Sequence, residues 1–267
     1  LQMDENMYVS ELEVEQAIAK LNKGKTKDPF QITTEHFIYA TNRHFISYLS
    51  SLINSIINNA DIPPSLCTSI IIPLAKSHKK SLNDPNNYRG ITISPVITKI
   101  IELIIINRCP ELKNHKPSQF GFIKGSSTIH PEILLQDTIK YYNSNGSPVY
   151  ICSLDAAKAF DSVNWYEMFI KMFNIPNNIL RFFINLYMDS EASIVYNNQS
   201  SIKFKPSQGV RQGSILSPFF YNIYTEGLLE HIKQMRIGCH LPNGDDVSII
   251  AFADDLVLLS SNMNSLQ

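Results

Sequence analysis

Cysteine is scarce in this chain: Cys67, Cys109, Cys152 and Cys239 lie far apart and form no Cys-x-x-Cys pair. A disulfide framework or a zinc site is therefore not expected, and a reducing compartment fits. The seven histidines are scattered without metal-ligand spacing, which leaves them as surface or satisfied core residues. An excess of one charge is lacking too. Lys and Arg number 23 against 24 Asp and Glu, a net of −1, so a nucleic-acid surface would have to be a local patch and not a global field. Long apolar runs are missing: the longest, near Ile100–Ile106, is broken by Glu102 and falls far short of a membrane span. No signal peptide is visible, and a first residue of Leu1 in place of Met leads us to expect a piece of a longer protein.

What is present describes a globular protein. Hydrophobic residues make up 44% and charged residues 18%, enough for a sizeable core. At 267 residues the chain is near the size where one core divides into two.

The most informative stretch is Ser248–Ser260, in which two short apolar runs flank Asp254-Asp255. That pattern predicts a buried β-hairpin with the carboxylates at its turn. Adjacent anions there repel each other, and a hard divalent cation such as Mg²⁺ would relieve them. An ordinary Asp-rich turn is the competing explanation. Asp245-Asp246, after Asn243-Gly244, illustrates it, because it lacks the flanking apolar runs.

Taken in order, Val9–Asn22 has apolar residues at helical spacing, with Ser10 and Glu13 forming a capping box. Lys20, Lys23, Lys25 and Lys27 follow, either a solvated face or a nucleic-acid contact. Thr34–Asn58 predicts a second helical region that stops near Asp61–Pro64. Ser69–Leu74 and Tyr88–Ile93 predict a hairpin, with Pro73 near a sheet edge. It carries Lys76 on one arm and Arg89 on the other, a candidate triphosphate clamp or simply charged edges that discourage aggregation. Val96–Arg108 predicts a packed helix, and Gln119–Phe122 with Gly125–Thr128 a Gly-punctuated loop. Thr128 or the serines before it would cap a helix over Ile129–Tyr142. Asn143–Pro148 is the best candidate boundary. Val149–Leu154 then predicts a buried strand ending on Asp155, followed by a turn and a helix over Val163–Phe173 capped by Asp161 or Ser162. A carboxylate at the end of such a strand sits where sheets hold ligands. Asn177–Asp189 predicts an amphipathic helix, Ser193–Tyr196 and Ser201–Lys205 two strands around Asn197-Asn198, and Phe219–Met235 a long helix behind the Gln208–Ser214 loop. Glycines in that loop allow close backbone approach to a flat ligand, and Gln212 could bond a base or sugar.

A strand ending in Asp155, a Gln-Gly loop before a helix, then a hairpin bearing Asp254-Asp255 is the layout of a polymerase palm. The sequence resembles the reverse transcriptase domain of non-LTR (LINE-type) retrotransposons. The matching stretches are Asn87–Ile91, Gln119–Phe122, Leu154–Val163, Gln212–Pro218 and Phe252–Asp255, in the family's order from roughly Leu12 onward. Group II intron reverse transcriptases share much of the pattern. The resemblance implies an α+β right-hand fold of fingers and palm, with a ferredoxin-like antiparallel palm sheet packed on helices and the thumb absent. It implies a helical extension over 1–55, fingers over 56–147 and palm over 148–267. It also implies RNA-directed DNA synthesis on an RNA template from a DNA primer and deoxynucleoside triphosphates, with two Mg²⁺ ions or Mn²⁺ in their place. Asp155 and Asp254 would hold the ions, with Asp255 less direct and the Ala156 carbonyl completing one coordination sphere. Phe160 would be the steric gate against the ribose 2′-hydroxyl, Gln212 and Gly213 would contact the incoming nucleotide, and Lys76 and Arg89 would grip its triphosphate. Action in the nucleus is expected on the same ground.

Three departures stand out. Asp28-Pro29-Phe30-Gln31 replaces the family's Gly-Pro-Asp-Gly, and Arg89-Gly90 replaces Arg-Pro. The chain stops at Gln267, just past the catalytic hairpin, so weak product binding or an inactive retroelement remnant is the rival expectation. An RNA-dependent RNA polymerase is disfavoured by Phe160, since that enzyme must admit the 2′-hydroxyl.

Overall fold

The computed structural model describes residues 7–40, 42–113 and 117–266. Leu1, Gln267, the first residues of the 1–55 extension and Thr41 of the second helical region lie outside them. Helices α1 (Glu11–Ala19), α2 (Thr34–Tyr39), α3 (Arg43–Asn59) and α4 (Pro64–Cys67) lead into strands β1 (Thr68–Ala75) and β2 (Tyr88–Ile93). Then come α5 (Val96–Arg108), α6 (Ile129–Ser144), β3 (Tyr150–Asp155), α7 (Trp165–Lys171) and α8 (Asn177–Met188). The chain continues through β4 (Glu191–Tyr196), β5 (Gln199–Ser200), α9 (Ser217–Gln234), β6 (Cys239–His240), β7 (Asp246–Val247), β8 (Ile249–Phe252) and β9 (Asp255–Ser260). These elements form two compact units, one of Leu1–Glu111 with Asn164–Ser217 and one of Leu112–Val163 with Pro218–Gln267.

In the first unit, α1, α3, α5 and α8 pack through Val14, Ile46, Ile53, Ile57, Ile100, Ile104, Phe182 and Phe183, all nearly inaccessible. The Ser10–Glu13 capping box forms as expected. The second helical region divides in two, because Asn42 accepts from Phe45 N–H and restarts the helix as α3; an Asn side chain that serves a cap competes with helix continuation. The sheet runs β2-β1-β4-β5, with β1 antiparallel to β2 and parallel to β4. Only Thr68–Ile71 of β1 pair with β4, so Pro73, opposite Gly90 of β2, has no strand on its other side. That is where a residue without an N–H is tolerated. Asn197 and Asn198 both take positive φ, 48° and 61°, in the turn between β4 and β5. Beyond β5 the expected strand shrinks to a single bridge between Phe204 and Ala192.

In the second unit, β3-β9-β8 form an antiparallel sheet and β6-β7 a separate hairpin. Ile250 and Leu259 pack with Cys239 and Val247 under Leu135 and Tyr142 of α6. Three expectations are corrected here. β3 is an exposed edge strand and not a buried one, with Leu154 44% accessible. Thr128 is itself helical (φ −59°, ψ −21°) and its hydroxyl caps nothing. Downstream, in the first unit, α7 begins at Trp165 and Asn164 caps it by accepting from Glu167 N–H, because Phe160–Ser162 is already wound into a 3₁₀ turn.

Candidate active site

β8 and β9 turn back on each other through Ala253-Asp254, with Phe252 paired to Asp255. Asp255 is paired on its other side with Asp155, the last residue of β3. Directly opposed residues on antiparallel strands share a face, with Cβ atoms about 5 Å apart. The register therefore sets two carboxylates against each other and a third, Asp254, beside them in the turn. Like charges so opposed are destabilising. Among the described residues none of the three carboxylates takes a hydrogen bond or ion pair, and Asp155 and Asp255 are exposed while Asp254 is half-buried. The expectation of a buried carboxylate tip is corrected to this open one. Uncompensated carboxylates beside the exposed Ala156 are an all-oxygen donor set, which fits a hard divalent cation. As the side chains stand, however, no three or more His, Cys, Asp or Glu among the described residues form a group that could hold a metal ion, these three carboxylates included.

After Asp155 the chain folds tightly. Lys158 takes φ 54°, and its carbonyl accepts from Asp161 N–H at 2.9 Å and Ser162 N–H at 3.0 Å. This turn lays the Phe160 ring flat on Tyr221 of α9, with centroids 4.7 Å apart and planes 11° apart. Burial, and then the Asp254 carboxylate, push the Tyr221 hydroxyl up to about 12, so it stays neutral.

The other site residues lie in the first unit. Arg89 pairs with Leu74, and Lys76 lies just past the end of β1, its N–H donating to the Asn87 carbonyl at 2.7 Å. Both cations are exposed. Asn87 closes the connection between the two arms: its Nδ2 donates to the Ser77 carbonyl at 2.8 Å, and its Oδ1 accepts from Ser77 N–H at 3.2 Å. Farther along β2, Thr92 N–H donates to the Gln212 carbonyl at 2.6 Å. Gly213 has φ 122°, and a Cβ there would lie 2.6 Å from the Thr92 carbonyl oxygen; only glycine fits. The far side of this loop is held by Glu102, fully buried, whose oxygens accept from Ser214 Oγ at 2.7 Å and Ile215 N–H at 2.9 Å. Burial raises the Glu102 carboxyl above its ordinary value.

Residues 77–267 match the family described as reverse transcriptase (RNA-dependent DNA polymerase). The chain belongs to the reverse transcriptase family. Reverse transcriptases work with divalent metal ions. The Pol polyprotein of type-2 retrotransposable element R2DM from Drosophila melanogaster is 27% identical over 220 residues, 81% of this chain and 20% of that protein. The RNA-directed DNA polymerase from the Drosophila melanogaster mobile element jockey is 25% identical over 228 residues, 83% of this chain and 24% of that protein. The chain thus spans about a fifth of the length of the relatives it matches. Among solved structures, telomerase from Candida tropicalis, truncated from its C-terminal domain, aligns with TM-score 0.52 at 15% identity, over 90% of this chain and 53% of that one. Telomerase from Candida albicans in complex with a telomeric RNA fragment gives TM-score 0.54 at 13% identity, over 75% and 39%. The fold is the α+β fingers–palm fold of reverse transcriptases. Among the described residues no helix is long and apolar enough to cross a membrane.

Sequence reasoning missed Glu102 and Tyr221. Glu102 was visible only as a charge interrupting an apolar run, the mark of a carboxylate that must find donors inside. Tyr221 carried no signal beyond its place in an apolar helix.

Proposed function

We propose that this chain is the polymerising part of a non-LTR retrotransposon reverse transcriptase, adding deoxynucleotides to a DNA primer 3′-hydroxyl on an RNA template. The observation that carries the proposal is the register opposing Asp155 and Asp255 beside Asp254. Asp155 and Asp254 would be the principal ligands of two Mg²⁺ ions, or of Mn²⁺, with Asp255 and the Ala156 carbonyl supplementing them. Bound there, the ions would lower the pKa of the attacking hydroxyl and neutralise charge on the leaving pyrophosphate. Phe160 would face the sugar and exclude a 2′-hydroxyl. Lys76 and Arg89 would bind the triphosphate oxygens, Arg as a fork and Lys as a point charge. Gln212 and Gly213 would meet the incoming nucleotide through a backbone that Thr92 and Glu102 hold in place. Fingers over 56–147, palm over 148–267 and a helical extension over 1–55 are our division by motif; the two compact units cross those boundaries. Action in the nucleus is part of the proposal by family resemblance.

In the full-length protein, Asp155→Asn or Asp254→Asn should reduce primer extension at least about a thousandfold, with template binding largely intact. Extension by either variant at the wild-type rate would sink the metal assignment. Phe160→Val should admit ribonucleotides, and an unaltered sugar preference would remove the gate.

A further inference from the structure

One segment that the proposed function leaves without a role touches two of its parts. Residues 118–120 run beside β8 on the edge away from β9. Ala251 N–H donates to the Ser118 carbonyl and Phe120 N–H to the Ala251 carbonyl, both at 2.8 Å. The Gln119 side chain, 3% exposed, turns toward Ala253, the residue before Asp254. Its Oε1 accepts from Ala253 N–H at 2.9 Å and Gly121 N–H at 2.7 Å, and its Nε2 donates to the Ala253 carbonyl at 3.3 Å. Ala253 has φ 59°, a conformation that a residue with a Cβ adopts only under constraint. The Gln119 amide holds both polar groups of Ala253 and supplies that constraint.

The contact continues through the next two residues. A Cβ at Gly121 would lie 2.2 Å from the Ala253 nitrogen, so its backbone packs directly on the turn. Asn222 of α9 donates to the Gly121 carbonyl at 3.2 Å. Phe122, itself at φ 62°, sets its ring edge-on to Phe160, with centroids 5.9 Å apart and planes 80° apart. Phe160 is stacked on Tyr221 as well, so two aromatic neighbours from different segments orient it.

We propose that Gln119–Phe122 is a positioning segment that ties the carboxylate turn to the sugar gate, with Gln119 fixing the Ala253-Asp254 peptide and Phe122 fixing Phe160. This inference rests on the proposed function. Gln119 and Phe122 act through Asp254 and Phe160, not on the substrate themselves. Gln119→Met keeps the length and bulk of the side chain but cannot accept from the two buried N–H groups.

The test uses the full-length protein and two readouts. Mn²⁺ titration followed by electron paramagnetic resonance should show roughly tenfold weaker binding in Q119M, the size typical of losing a support behind a metal ligand. Gln119→Glu keeps both accepted bonds but sets an oxygen against the Ala253 carbonyl where the amide donated, and should fall between Q119M and wild type. Phe122→Leu should raise ribonucleotide over deoxynucleotide incorporation roughly tenfold. A folded Q119M that binds Mn²⁺ as tightly as wild type overturns the inference, as does F122L with the wild-type sugar ratio. If Q119M fails to fold, Q119E decides in its place, and wild-type affinity there is equally fatal. Mn²⁺ binding indifferent to Asp155→Asn is a different pattern, and it defeats the underlying metal reading together with the inference.

Discussion

Asp28 shows how one buried carboxylate can serve two segments at once. In the turn Asp28-Pro29-Phe30-Gln31 the fourth residue takes a left-handed backbone, Gln31 at φ 63°. Asp28 is buried, 3% exposed. Its Oδ1 accepts from Phe30 N–H and Ile32 N–H, each at 2.9 Å, and its Oδ2 accepts from Val96 N–H at 3.1 Å. One carboxylate therefore closes the turn and also meets the first amide of α5. Asp28→Ala should lower unfolding stability by about 3 kcal/mol, since three amides lose a charged acceptor. Asp28→Asn keeps one acceptor oxygen and should lose about half as much. Denaturant unfolding at neutral pH measures both. Equal losses would mean that the oxygen Asn retains contributes nothing, and that the effect does not scale with the number of accepted bonds.

Elements with strong periodicity were legible: α1 with its capping box, α5 to the residue, α8 with Ile179, Phe182, Phe183 and Leu186 inward, and the β8–β9 hairpin. What was not legible depended on distant partners. The exposure of β3 follows from its place at the edge of its sheet, and no local pattern encodes sheet order. The break between α2 and α3 turned on a single Asn side chain choosing a cap. At the candidate site, motif order gave the carboxylates, but the Asp155–Asp255 register and the Glu102 contact appeared only once the strands and the loop were in place. The 211–217 loop supplies the prediction at this scale. Glu102 faces Ser214 and Ile215 as donors, with Arg211 and Lys99 as nearby cations, and burial outweighs them so that its folded pKa lies above the ordinary 4.5. A carboxyl raised in the folded state contributes stability that is fully present below its unfolded value and is lost as pH rises through the folded one. Wild-type stability should therefore fall as pH climbs from about 4.5 toward neutrality. Glu102→Gln, which cannot ionise, should lack that share of the slope. Parallel slopes in denaturant titrations across this range would mean that Glu102 is not the group responsible.

For the molecule as a whole, near-neutral charge decides how nucleotide recognition must be organised. With a net charge of −1, long-range attraction for polyanions is weak, and binding must come from cations held at chosen positions. On the proposed function Lys76 and Arg89 would be such a pair, in a hairpin whose turn is locked by Asn87, while Lys79 and Lys80 lie in the exposed connection between the same strands. Replacing either pair with alanine removes two positive charges and takes the net from −1 to −3, the same change in overall field. If recognition is local, Lys76→Ala with Arg89→Ala should raise KM for deoxynucleoside triphosphates roughly tenfold or more, as expected for the loss of charge-assisted bonds. Lys79→Ala with Lys80→Ala should leave KM within about twofold, because exposed charges that make no direct contact with the phosphates are screened by salt. Primer–template affinity should be similar in both double variants. Steady-state kinetics at fixed ionic strength separates the cases: equal KM increases would make the field diffuse and remove Lys76 and Arg89 from the triphosphate site.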